Sequence, residues 1–369
     1  MAAALVAWVR IVVVPRRPDD AGLPIPRRIP DPEARPSADG RGVRIAVNPS
    51  SGPAWTGSPA EALRAGLPGA DIVELGPDDD LHDLLDRDDL LAVGAAGGDG
   101  TLSAVAAIAA DRGVPLVAVP AGTLNHLARD LGLSSVDDAV AAVRAGTTAR
   151  MDLAVAGERT FVNTLTLGGY TAIVDARERL EKTIGKWPAL LVALARELPS
   201  MEPLYLDIDG TPERVWLAWI GNCRYSPPGF GPGWRDQLDD GQLDIRLVNG
   251  RERFSRTRFV LHVLTGRLAS CSVYEERSAA EVSIHSHDGP LRLAADGETF
   301  DGPVDLVVSK RPRALQVAIP PYLDDGRTDP SERPTTTAST PSPITPAAVS
   351  DDPAGGVEPE ESDALLEAS

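Results

Sequence analysis

Between Val43 and Val119 the apolar positions fall in short blocks, and each block ends in small or turn-forming residues. Val43 to Val47 runs into Asn48-Pro49-Ser50-Ser51-Gly52, Asp71 to Leu75 forms a second block, and Leu90 to Ala95 leads into Gly97-Gly98-Asp99-Gly100-Thr101. Val114 to Val119 is the fourth block, followed by Pro120-Ala121-Gly122-Thr123-Leu124-Asn125. Short apolar runs bounded by such residues predict buried strands. Ser58-Pro59 predicts the start of a helix over Ala60 to Ala65. Leu102 to Ala110 and Thr123 to Leu131 predict two more helices. Strands alternating with helices imply a parallel α/β sheet with the loops that follow each strand on one edge.

The pattern changes near Thr148. Alternating runs predict strands at Ala149 to Ala156, Thr160 to Leu167, Leu204 to Ile208, Arg214 to Ile220, Leu243 to Val248, Ala280 to His285 and Leu291 to Ala295. Helical stretches interrupt them at Ile173 to Leu198 and Ser255 to Gly266. This part reads as a β-sandwich-like second domain over 148–303, after an α/β domain over 41–147. Residues 1–40 read as an extension and linker rich in Pro, Arg and Asp. Residues 323–369 are Pro, Thr, Ser and acid, a composition that predicts no ordered core.

Composition sharpens this picture in three places. Of the net charge of −18, half comes from Asp324 to Ser369, where eleven acids meet two arginines. A chain with so few clustered cations is not expected to bind nucleic acid. Cys223 and Cys271 form no metal pattern and no disulfide framework, which predicts a reducing, cytoplasmic setting. The apolar stretch Ala2 to Val14 is broken by Arg10 and falls short of the roughly 20 residues a bilayer helix needs. It also has neither a basic leader nor a small-residue cleavage site, so a signal peptide is not expected.

The candidate chemistry sits in the loops. Glycines between a strand and a helix let backbone N–H groups approach a phosphate, and the helix N-terminus favours added negative charge. Taken alone, Gly97 to Thr101 is better explained by a tight turn. The stretch from Pro120 to Arg129 is a second such loop on the same predicted edge, where open α/β sheets bind ligands. A dinucleotide fingerprint is not met, because the third glycine is missing and Asp99 would face a pyrophosphate. No Gly-Lys-Ser or Gly-Lys-Thr occurs, and Lys182, Lys186 and Lys310 are the only lysines. Phosphoryl chemistry here would have to use backbone dipoles, arginine and metal.

The ordered set Asn48 to Gly52, Gly97 to Thr101 and Pro120-Ala-Gly-Thr-Leu-Asn-His-Leu-Ala-Arg-Asp-Leu-Gly-Leu133 resembles the catalytic domain of diacylglycerol kinases, sphingosine kinases and their bacterial relatives. Arg150-Met151-Asp152-Leu153 with Phe161-Val162-Asn163, then Asp240-Gly241-Gln242-Leu243-Asp244, then Asp296-Gly297-Glu298 resemble later motifs of that family in the same order. The resemblance runs from about 43 to 321. It implies ATP held by Asn48, Pro49, Ser50, Ser51, Gly52 and by Gly97, Gly98, Asp99, Gly100, Thr101, Leu102 and Ser103, with Thr123 and Asn125 near the phosphates. Asp99 and Asp152 would be catalytic or Mg²⁺-positioning carboxylates, and Glu298 the general base. Asp240 would belong to a structural metal site in the β-domain to which Gln237 and Gln242 contribute through carbonyls, and a last strand within 304–322 would return to the first domain. His126 follows Asn125 where many members of the family carry an acid.

By pattern alone, Asp240-Gly241 and Asp296-Gly297 are ordinary hairpin turns. The implied activity is phosphorylation of a lipid hydroxyl. An NAD kinase, which shares the Gly-Gly-Asp-Gly-Thr loop, and a non-catalytic binding protein on the same fold are the alternatives. The expected partner is a lipid at a membrane surface, met peripherally, and a homo-oligomer stays open. Arg251, Arg253, Arg256, Arg258 and Arg267, with Phe254 and Phe259 among them, read either as a solvated helix face or as a contact with anionic lipid.

Overall fold

The computed structural model describes residues 35–49, 58–76, 79–122, 125–168, 202–226, 233–265 and 267–321. The helix expected over Ile173 to Leu198, the extension up to residue 34 and the acidic tail lie outside them.

Four parallel strands carry the first domain: β1 (Val43–Val47), β2 (Asp71–Glu74), β3 (Ala92–Gly97) and β4 (Leu116–Pro120), in the order β2-β1-β3-β4. β3 is buried along its whole length, as a central strand covered on both faces must be. Its small residues let neighbours close in: a β-carbon at Gly94 would stand 2.8 Å from the Val117 carbonyl. The helices are α1 (Pro59–Gly66), α2 (Leu81–Leu85), α3 (Asp99–Arg112), α4 (His126–Asp130) and α5 (Val136–Ala145). α3 starts three residues before the sequence pattern suggested, so Asp99 to Thr101 form its first turn rather than a loop. α2 and α5 were not expected. The signal for α5 was Ser135-x-x-Asp138, which forms a complete capping box.

The second domain comprises β5 (Thr148–Ala156), β6 (Arg159–Phe161), β7 (Thr164–Gly168), β8 (Leu204–Ile208), β9 (Thr211–Asn222), β10 (Tyr225–Ser226), β11 (Trp234–Arg235) and β12 (Leu243–Asn249). Helix α6 (Ser255–Leu264) follows, then β13 (Tyr274–Ala279), β14 (Glu281–Ser286), β15 (Arg292–Ala295), β16 (Glu298–Asp301) and β17 (Asp305–Ala318). The result is the expected β-sandwich-like domain behind a parallel α/β domain. The run Thr160 to Leu167 does not form one strand. It splits at Val162-Asn163, where the N–H groups of Val162, Asn163 and Thr164 turn to the carboxylate of Asp296.

The two domains share their hydrogen-bonded sheet. β17 pairs in parallel with β4 at Val317↔Leu116, and antiparallel with β14 and with β5. Met151, Leu153, Leu315 and Val317 enter the first core, while Ala154, Ala156, Leu306 and Val308 enter the second. Each of the larger ones, the Met, Leu and Val side chains, contributes about 1.5–3 kcal/mol. Where β17 crosses from one core to the other its register shifts between Arg311 and Leu315, and Arg313 takes φ of 50°. A bulge of this kind bends the strand, which lets one strand follow two sheet surfaces.

Candidate active site

β3 ends at Gly97, Gly98 caps α3, and Asp99 is the first residue of the helix. A β-carbon on Gly98 would meet nothing within 4 Å, so open space faces the free N–H groups of the first turn. Gly122, after β4, comes so close that its β-carbon would stand 2.8 Å from Gly98 Cα. Asn125 holds that second loop: its Oδ1 accepts from Gly122 N–H at 2.7 Å, and its Nδ2 donates to the Gly122 carbonyl at 2.8 Å. Its φ of 50° is a left-handed conformation that Asn tolerates better than most residues. Asn48 N–H donates to the Ala96 carbonyl at 2.9 Å, which brings Asn48 and Pro49 to the same sheet edge. Ser50, Ser51, Gly52 and Thr123 lie outside the described residues. Leu102 has a fully buried side chain, and its N–H donates to Gly98, so it offers a ligand nothing.

Asp99 Oδ1 accepts from Asn163 Nδ2 at 3.3 Å and from Leu127 N–H at 3.5 Å. Oδ2 carries no hydrogen bond among the described residues. An open carboxylate oxygen beside a helix N-terminus is a hard donor of the kind Mg²⁺ takes, so Asp99 fits the implied metal. His126, at the start of α4, has its pKa lowered by burial, against the opposing pull of the Asp99 and Asp130 charges.

Glu298 reaches this loop from the other domain. It opens β16 after the two-residue turn Asp296-Gly297, whose φ values of 48° and 93° fit the hairpin turn that suits strand twist. Asp296 fixes that turn by accepting from the N–H groups of Val162, Asn163 and Thr164 at 2.8 to 2.9 Å. Burial raises its pKa, and hydrogen bonds from the Ser103 hydroxyl and these three N–H groups oppose the shift. The turn brings the Glu298 carboxylate over Gly100, where a β-carbon would stand 2.6 Å from Oε1. Arg159, in β6, donates to Oε2 at 2.6 Å and leaves Oε1 toward the glycine. A cavity of about 330 Å³ adjoins this point, lined by Gly100, Ser103, Ala104 and Ala107 of α3 with Arg159 and Glu298. Arg159 had no signal in the sequence.

Asp152 sits elsewhere. It is fully buried, and its carboxylate accepts from Gly241 N–H at 2.8 Å and Arg313 N–H at 2.7 Å. Lys310 Nζ lies 3.2 Å from Asp152 Oδ2 and 3.2 Å from Cys223 Sγ, and bonds Asn222 Oδ1 as well. With its oxygens so engaged, Asp152 ties β5 to β17 and to the Asp240 loop, and among the described residues it shares no hydrogen bond with Asp99. Asp152, Cys223 and Asp240 do bring one donor atom each within 4.8 Å. That set does not fit Mg²⁺: the Lys310 ammonium already supplies the positive charge, and burial pushes the Cys223 thiol up to about 12. The Asp240 carboxylate accepts from the N–H groups of Arg224 and Gln242. Gln237 is exposed, the Gln242 amide turns to the Gly241 carbonyl, and the Gln242 backbone carbonyl accepts from Cys223 N–H at 3.0 Å.

Glycine turns facing a helix start, with a carboxylate aimed across them from a second domain, form a site suited to a phosphate beside a proton acceptor. The diacylglycerol kinase catalytic domain matches residues 43–156, and the YegS C-terminal NAD kinase beta sandwich-like domain matches 164–319. A diacylglycerol kinase of Mycobacterium tuberculosis is 30% identical over 244 residues, covering 62% of this chain and 77% of that protein. A probable lipid kinase YegS-like protein of Pseudomonas aeruginosa is 32% identical over 233 residues, 61% of this chain and 76% of its own. The crystal structure of a putative diacylglycerol kinase from Bacillus anthracis shares the fold, with TM-score 0.59, 20% identity, and 77% and 98% of the two chains covered. The chain belongs to the diacylglycerol kinase and YegS-like lipid kinase family, and it carries that family's catalytic domain.

Proposed function

We propose that this lipid kinase transfers the γ-phosphoryl group of ATP to the hydroxyl of a neutral lipid such as diacylglycerol, with Mg²⁺ at the phosphates. The observation that carries the proposal is the Glu298 carboxylate poised over Gly100, one residue from Asp99. The N–H groups at the start of α3 and the loop at Gly122 receive the phosphates. Asp99 offers its open oxygen to the metal, which neutralises phosphate charge when bound. Glu298 Oε1 accepts the proton of the lipid hydroxyl as that oxygen attacks the γ-phosphorus. The bond to the bridging oxygen of ADP breaks, and Glu298 later releases its proton to water. Arg159 restrains the base through its other oxygen. A cavity of about 330 Å³ holds the polar end of a lipid, with the acyl chains left outside.

Such a substrate is met at a membrane surface, and no described helix is long and apolar enough to cross one. Phe254 and Leu261 are 74% and 56% exposed on and beside α6, among Arg253, Arg258 and Arg267. An apolar and cationic patch of this kind supports peripheral contact with anionic lipid.

The test is incubation of purified protein with labelled ATP, Mg²⁺ and micellar diacylglycerol, with NAD in a parallel reaction. Labelled lipid and no labelled NADP are expected. Labelled NADP without labelled lipid contradicts the proposal.

A further inference from the structure

The two largest fully buried side chains among the described residues are arginines, Arg235 and Arg246, and neither belongs to a motif that marks the site. Arg235 in β11 is 0% exposed. Its Nε donates to Asp130 Oδ2 at 2.7 Å, its Nη1 to the carbonyls of Val162 at 2.7 Å and Asn222 at 3.1 Å, and its Nη2 to Asn163 Oδ1 at 2.9 Å. The guanidinium carbon Cζ lies 5.2 Å from the centroid of the Tyr225 ring. Burying a charge is unfavourable unless it is paired and hydrogen-bonded. Here each of the three nitrogens is hydrogen-bonded, and the partners come from both domains: Asp130 closes α4 of the first, while Asn163 and Asn222 belong to the second.

The consequence for the site runs through Asn163. Its side chain carries one acceptor and one donor group, and a guanidinium can only donate. Arg235 therefore fixes the amide with Oδ1 toward itself. Nδ2 is left pointing the other way, and there it donates to Asp99 Oδ1 at 3.3 Å. Without the arginine, the amide could turn over and present its oxygen to a carboxylate, which repels it. Asn163 is 3% exposed and Asp130 4%, so water does not compete for these contacts. The Asn163 backbone is held as well, by Asp296 at its N–H and by Asn222 at its carbonyl. Only the amide rotamer is left for Arg235 to decide.

We infer that Arg235 is a positioning residue which, through Asn163, orients the Asp99 carboxylate toward metal and phosphate and couples that orientation to docking of the β-domain on α4. The inference rests on the role of Asp99 proposed above. It predicts that the side chains act as one chain: removing either link frees Asp99, and removing both adds little. Losing one outer partner of a metal-binding group typically lowers affinity or activity by about 10- to 100-fold.

The experiment is a cycle of Arg235→Lys, Asn163→Ala and the double variant, with thermal melts as a control. Mg²⁺·ATP affinity is measured by calorimetry, and lipid phosphorylation in parallel. Each single variant should lose about 10- to 100-fold, and the double variant no more than the larger single loss. Losses that multiply, or an Asn163→Ala protein with unchanged affinity and rate, overturn the relay. A wild-type protein that binds Mg²⁺·ATP and phosphorylates no lipid contradicts the substrate reading alone, and the affinity cycle still decides the relay. Wild-type protein that does not bind Mg²⁺·ATP overturns both. Should Arg235→Lys fail to fold, Asn163→Asp replaces it, since an aspartate still accepts from Arg235 while setting a second negative charge against Asp99. Its kcat/KM for lipid phosphorylation should fall by about 10- to 100-fold, with Mg²⁺·ATP affinity altered as well. A variant with wild-type affinity and rate contradicts the relay.

Discussion

The carboxylate of Glu298 lies against the backbone of Gly100, so close that a β-carbon on the glycine would stand 2.6 Å from Oε1. The two residues come from different domains. Their approach is set by Asp296, whose carboxylate binds three successive N–H groups at 162–164 and so fixes the hairpin that carries Glu298. The same three bonds remove Asp296 from consideration as a base, because its oxygens are occupied.

Gly100→Ala should separate stability from activity. Gly100 lies in the first turn of α3 and is not among the glycines with left-handed φ, so alanine is tolerated by the backbone and favoured there by up to about 1 kcal/mol. The added methyl displaces the end of the Glu298 side chain. An unchanged or raised melting temperature with kcat at least tenfold lower is expected, and full activity would mean that the contact is incidental.

Arg159→Met removes the partner of Glu298 Oε2. The pair is partly exposed, with side chains 39% and 58% accessible, so its removal should change stability by less than about 1 kcal/mol. The rate should fall while Mg²⁺·ATP affinity holds, and Arg159→Lys should restore part of it. Equal losses in affinity and rate would point to a role in holding nucleotide instead.

Much of this was legible in the sequence. The parallel strands, the glycine turns and the Asp296-Gly297 turn all follow from local patterns that the structure keeps. The rest depended on pairing between distant segments. Asp152 reads in sequence like a site carboxylate, yet tertiary pairing gives it to Lys310 and to backbone N–H groups. Around Asp240 the pairing is likewise tertiary: its carboxylate accepts from the Arg224 and Gln242 N–H groups, and the Gln242 carbonyl accepts from Cys223 N–H. Arg159 and Arg235 carry no local signal at all, because the side chains they hydrogen-bond lie more than 70 residues away.

Lys310 should hold the domain junction without metal. Its side chain and that of Asp152 are 2% and 1% exposed, and breaking a buried pair by removing one partner costs about 3–5 kcal/mol. Lys310→Met should lower the melting temperature by at least about 5 °C, while EDTA leaves that of the wild type unchanged. A melting temperature that falls with EDTA would place a structural metal at the junction after all.

Histidine 126 makes stability depend on pH in mildly acid solution. Burial holds its pKa below the ordinary 6.5, so below that pH the unfolded chain binds a proton that the folded protein resists. The His126 contribution is therefore full above about pH 6.5 and is lost as pH falls, at up to about 1.4 kcal/mol per unit. His126→Gln should flatten the melting temperature between pH 6.5 and 5 relative to wild type, and an identical slope would contradict the assignment.

The central claim is that Glu298 takes the proton from the lipid hydroxyl, and Glu298→Gln tests it with the shape preserved. The measurement is kcat for phosphorylation of micellar diacylglycerol, with Mg²⁺·ATP affinity and melting temperature alongside. General base catalysis contributes about 10²- to 10⁴-fold, so kcat should fall by that factor while affinity and melting temperature stay at wild-type values. A variant that keeps more than about a tenth of the wild-type kcat contradicts the claim.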